Sequence, residues 1–152
     1  MKNSIRLVKQ EEIYETKQYF IERGETGLLV ELHGKELRTW QQYAVEIGKQ
    51  FKFPAMYQES HKEHIVDAYL DWIRDLSWFE GIEEFAIVIY DYNQFLRDEK
   101  GKVRNGNYCE YIINKEMIIS GFVDTILPWW EYDVAQCSVD GKIKPFNVYL
   151  IA

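Results

Sequence analysis

Three short apolar runs constrain this chain more than anything else in it: Leu28 to Leu32, Phe85 to Tyr90, and Phe146 to Ile151. Each is rich in Leu, Val or Ile and is bounded by polar or turn-forming residues. A strand that is apolar on both faces needs cover on both, which is the situation of a parallel sheet flanked by helices. Parallel pairing also needs a long crossover, and the intervals between the runs can hold helices. The expectation is an α/β fold built on a small three-stranded parallel sheet with helices packed on it.

The first interval carries two helical patterns. Thr39 and Gln42 stand at capping-box spacing, and Trp40, Tyr43, Ala44, Ile47 and Phe51 recur at helical spacing before Pro54 ends the element. A second capping-box pair, Ser60 and Glu63, opens a helix expected to run to about Leu76. Its apolar stripe is Ile65, Tyr69, Trp72, Ile73 and Leu76. Later signals are fainter: a short helix over Asn93 to Asp98 and a turn at Asn105-Gly106. A helix through Ile119, Phe122 and Ile126 is stopped or kinked by Pro128, and Asp140-Gly141 marks a hairpin. A helix over Gln10 to Glu22 lies within residues 1–26, read as an N-terminal elaboration packed on a domain of residues 27–152.

On the second helix Glu63, Asp67 and Asp71 fall opposite the apolar stripe, with Asp75 near its edge. This row of carboxylates works against its own helix. Like charges four apart cost roughly 0.2–0.5 kcal/mol per pair, and Asp is a weak helix former. Arg74 can relieve part of that strain. A local rule broken without local gain points to function, here a surface that meets a basic partner. The plain alternative is a solvated helix face.

Composition narrows the classes further. Hydrophobic residues make up 47% of the 152 residues and aromatics 16%, enough for a core with aromatics to spare. A net charge of −7 repels phosphate backbones, which argues against nucleic acid; it would steer the chain toward a basic partner, but by itself such a charge does no more than keep a protein soluble. Cys109 and Cys137 lack CxxC spacing, and no segment has the apolar length of a signal peptide or membrane span. Free thiols in a reducing cytoplasm are expected, a Cys109–Cys137 disulfide being the alternative. His61, His64 and Asp67 could converge loosely on a metal, but the six-residue spacing swings Asp67 away and no HExxH accompanies them. No metal or cofactor is expected. Paired carboxylates do acid–base work only when one is desolvated, and these lie on an exposed face. With no G-x-S-x-G, P-loop or GxGxxG, the chain reads as a non-enzymatic binding protein.

The stretch D-A-Y-L-D-W-I-R-D-L-S-W, from Asp67 to Trp78, resembles the second helix of the barstar family, intracellular inhibitors of secreted bacterial ribonucleases. Asp67, Ala68, Asp71, Arg74, Asp75, Leu76, Ser77 and Trp78 stand at matching positions. Phe53-Pro54 followed by Tyr57 is similar to the family's F-P-x-Y connection. The strand VELHG, the Thr39-initiated helix, the acidic helix and the strand AIVIYD follow the family order, and ILPWW and KPFNVYLIA resemble the end of its longer members. The likeness covers most of residues 27–152 and is loose between Asp91 and Gln136.

The resemblance implies a barstar-like fold and a monomer whose acidic helix enters the active site of a basic ribonuclease. Asp67 and Asp71 would stand in for RNA phosphates, Tyr57 would be an aromatic contact from the connecting loop, and Glu63 and Asp75 would add long-range attraction. Two departures bear on which ribonuclease is bound. The segment YQESHKEHIV is longer than the family's loop and lacks its Gly and Asn, and Leu70 stands where some inhibitors set an aromatic. A binding or immunity protein for a different basic partner is the alternative.

Overall fold

The apolar runs pair side by side in the computed structural model of the chain, which describes residues 2–60, 62–99, 101–105 and 110–152. In chain order the elements are β1 (Ile5–Leu7), α1 (Gln10–Arg23), β2 (Gly27–His33), α2 (Trp40–Gln50), α3 (Ala55–Gln58), α4 (Val66–Ile73) and β3 (Glu84–Tyr90). They continue with β4 (Lys102–Asn105), β5 (Glu110–Ile113), α5 (Lys115–Gly121), α6 (Val134–Cys137) and β6 (Phe146–Leu150). The main sheet has the order β1-β6-β3-β2 with every neighbour parallel, and Ile87 lies beside Val30 on one side and Val148 on the other. The sheet therefore has four strands where three were expected. Its additional edge strand, Ile-Arg-Leu, is too short and mixed to stand out as an apolar run.

Both faces of the sheet are covered, which is why β3 can be apolar throughout. Val30, Leu32, Phe85, Ile87, Ile89, Phe146 and Val148 point into the main core, where Trp40, Tyr43 and Ile47 of α2 and Tyr69 and Ile73 of α4 meet them. Val88 faces the other way, onto Ile13 of α1 and Ile151. Each such side chain stabilises the fold by about 1.5–3 kcal/mol through burial. Beside this sheet, β4 and β5 form a separate antiparallel pair.

Several local expectations need correction. The Thr39–Gln42 capping box is present at the start of α2, but Ser60 and Glu63 do not cap α4. Ser60 instead makes a local turn with the backbone of Lys62, and Ile65 is the extended residue that precedes the helix. The helix also stops at Ile73, because Leu76 turns the chain in left-handed backbone (φ 52°) to bury its side chain. In place of a helix over Asn93 to Asp98 there is a single 3-10 turn, Tyr92–Gln94. The following residues bond to the 37–38 segment, Leu96 N–H to Leu37 and Asp98 N–H to Arg38. Pro128 does not stop its element. The segment from Lys115 to Cys137 stays helical through two π-turns, Phe122–Ile126 and Trp129–Asp133, with Leu127 N–H bonding the Phe122 carbonyl five residues back. Widened turns re-pair the backbone around a proline that has no N–H to give. Asp140-Gly141 turns the chain, with Gly141 N–H on the Ser138 carbonyl, but among the described residues no hairpin strands flank it. Asn105 ends β4, while Gly106 of the expected Asn105-Gly106 turn and Cys109 lie outside the described residues.

Candidate partner-binding face

The helix α4 has eight residues, and its two faces differ sharply. Tyr69 and Ile73 are buried, Leu70 and Trp72 are half-buried against the core, and Asp67 and Asp71 are exposed. Four residues of helix separate the two carboxylates by about 6 Å along the axis. Because the helix starts at Val66, Asp67 sits in its first turn, where a carboxylate agrees with the helix dipole. Glu63 and Asp75 are exposed but lie off the helix, one before it and one in the turn after it, where Asp75 Oδ1 accepts the Ser77 N–H at 3.2 Å. The expected row of four helical carboxylates is thus a pair on the helix with one acid flanking each end.

This face is held at both ends. At the N-terminal end His64 N–H donates to Gln41 Oε1 (2.9 Å), and the Trp40 indole N–H donates to the His64 carbonyl (2.8 Å). At the other end the Trp130 indole N–H donates to the Ile73 carbonyl (3.1 Å). Between them the phenol oxygens of Tyr69 and Tyr43 lie 2.6 Å apart in the core, where burial pushes both phenols above their ordinary range. A carboxylate pair mounted this way is presented without a large ordering cost at the moment of binding.

Tyr57 is not on the surface. It is only 4% exposed, its hydroxyl donates to the Ala44 carbonyl at 2.9 Å, and its ring packs against Phe53 on one side and the buried His64 on another. Its expected contact with a partner is corrected: Pro54 opens α3 in a direction that carries Tyr57 inward and its neighbour Met56 outward. Met56 is 76% exposed and Ile65, the residue that precedes α4, 42%, so two apolar side chains of the segment leading to the acidic helix face outward. Neither was singled out from the sequence, because a lone Met and a residue counted on the apolar stripe carry no outward signal. Burial lowers the His64 pKa from its ordinary value, favouring the neutral imidazole.

At the far end Arg74 reaches back to Asp71, Nη2 to Oδ1 at 3.1 Å, while its guanidinium lies over Trp129. Beyond it a groove of about 610 Å³ opens between the end of α4, Trp129 and the 138–144 turn. The D-x-x-R spacing made the Arg74 pairing readable; nothing in the sequence announced Trp129 beneath it. Among the described residues no cluster of three or more His, Cys, Asp or Glu is placed to hold a metal, His64 being stacked in the core and His61 outside the described residues. No helix among them is long and apolar enough to cross a membrane.

Compared with known families, residues 28–106, just over half the chain, match the model described as Barstar (barnase inhibitor). The comparison with curated proteins returned no match.

Proposed function

The chain belongs to the barstar family, and on that premise we propose that it is a non-enzymatic inhibitor that seats α4 in the active site of a basic, barnase-type ribonuclease. Asp67 and Asp71 take the places of RNA phosphates against the enzyme's arginines and lysines, where charge-assisted bonds are strong. Glu63 and Asp75 extend the negative field and speed the encounter. Met56 and Ile65 supply the apolar contact that Tyr57, turned inward, does not. Leu70, half-buried on α4, backs the helix rather than anchoring a partner.

The observation that carries this reading is the exposed Asp67–Asp71 pair on a helix pinned at both ends to the core. The test is an RNA-cleavage assay with a barnase-type ribonuclease. The wild-type chain should stop cleavage at equimolar ratio, and the Asp67→Asn/Asp71→Asn double variant should leave it running. Cleavage untouched by excess wild-type protein would reject the ribonuclease and point to a different basic partner.

A further inference from the structure

Arg74 already occupies one oxygen of Asp71. Besides its bond to Asp71, its Nε donates to the Leu70 carbonyl at 3.0 Å, and its guanidinium carbon lies 5.7 Å from the centroid of the Trp129 ring. An ordinary exposed pair is weak because two long side chains must be ordered to make it. Here the Leu70 carbonyl and the Trp129 face also hold the guanidinium, so closing the pair orders little more. Trp129 offers its ring face and no hydrogen bond, since its buried indole N–H has no partner among the described residues. Trp129 opens the second π-turn, and such widened turns recur at functional sites.

The two carboxylates of α4 are therefore unequal. Asp67 is exposed and makes no hydrogen bond or ion pair among the described residues, so both oxygens are open, whereas Asp71 has Oδ1 taken. A guanidinium binds a carboxylate best through two parallel bonds, which need both oxygens. Resting on the inhibitor reading above, we infer that Arg74 is a built-in competitor that fixes which cation each carboxylate accepts. Asp67 receives a partner's guanidinium in the two-pronged manner. Asp71 accepts a point-like cation such as a lysine ammonium on its free oxygen, and takes a guanidinium fully only if Arg74 is displaced. The selected partner carries arginine opposite Asp67 and lysine opposite Asp71.

The first test needs no ribonuclease. Carbon-13 carboxyl shifts of Asp67 and Asp71 are followed while a tri-arginine peptide amide is titrated into wild type, Arg74→Gln and Trp129→Leu. In wild type Asp67 should respond strongly and Asp71 weakly; in Arg74→Gln both should respond alike. Trp129→Leu keeps the net charge while unpinning Arg74, so an intermediate Asp71 response excludes a bulk charge effect and carries the test should Arg74→Gln fail to fold. Equal responses in wild type, or an unchanged pattern in both variants, would overturn the inference. In the second test Arg74→Gln should tighten binding of a barnase-type ribonuclease by about threefold, with no gain when Asp71 is already Asn. Weaker binding would overturn it. The expected peptide pattern with no ribonuclease binding by any variant would retire the ribonuclease reading and leave the assignment of Arg74 intact.

Discussion

The imidazole of His64 lies flat on the ring of Tyr57, with centroids 4.0 Å apart and planes 12° from parallel. That stack fastens the segment before α4 to the core.

Stability should fall in mild acid because of His64. Burial lowers its folded-state pKa below the ordinary 6.5, so the unfolded chain binds the proton more readily than the folded one. The contribution is complete above about 6.5 and is lost as the pH falls toward the lower folded-state value. Urea unfolding at pH 7.5 and 5.5 should show a larger loss for wild type than for His64→Phe, which keeps a flat ring and cannot titrate. Equal losses in the two proteins would remove His64 as the cause.

Gly48→Ala should destabilise the fold although it improves helix propensity. In an open helix the change would gain about 1 kcal/mol. Here an added Cβ meets Tyr57 Cε1 at 2.4 Å and Cδ1 at 2.8 Å, against a ring locked between Phe53 and His64. A net loss of about 1–3 kcal/mol is expected by chemical denaturation, the ordinary cost of overpacking. Much of that loss should vanish in a Tyr57→Leu background, because the two sites share one contact.

The outline of this fold was legible because β3 is apolar on both faces and β2 and β6 carry shorter apolar runs beside it, which together announce a covered parallel sheet. The acidic pair was legible too, since Asp67 and Asp71 oppose Tyr69 and Ile73 at helical spacing. The start of α4 was not. Ser60 and Glu63 satisfy a local capping pattern, but burying His64 against Tyr57 forces the chain to stay extended through Ile65, and tertiary packing overrides a cap worth about 1 kcal/mol. Tyr57 misled for a similar reason: its aromatic ring fits a core or an interface equally, and the turn at Pro54 decides between them. Pro128 reads as a helix breaker unless π-turns on either side re-pair the backbone, and no sequence pattern signals those.

Tyr43 and Tyr69 should behave as one unit. Each phenol oxygen is buried against the other at 2.6 Å. Changing either to Phe alone leaves a hydroxyl without that partner, at a cost of about 1–3 kcal/mol. The double Phe variant should lose less than the sum of the singles, and strict additivity in thermal or urea unfolding would contradict the pairing.

Asp67→Asn and Asp71→Asn should separate stability from binding. Asp67 lies in the first turn of α4, so its loss forfeits about 0.3–1 kcal/mol of dipole stabilisation but relieves about 0.2–0.5 kcal/mol of repulsion with Asp71, leaving a net change below about 1 kcal/mol. Asp71 makes one exposed pair with Arg74, and its loss should change stability by less than about 1 kcal/mol. Removing either carboxylate from an interface with a buried cation should cost about 2 kcal/mol or more of binding. A variant that unfolds instead of losing its partner would show that the carboxylate serves the fold.

The measurement that goes straight to the central claim is a calorimetric titration of the wild-type chain with a barnase-type ribonuclease, at low and at raised salt. The expected result is one-to-one binding that weakens as salt screens the attraction between the acidic face and the enzyme, and that collapses in the Asp67→Asn/Asp71→Asn variant. Binding of equal strength to wild type and double variant, or none to wild type, would contradict it.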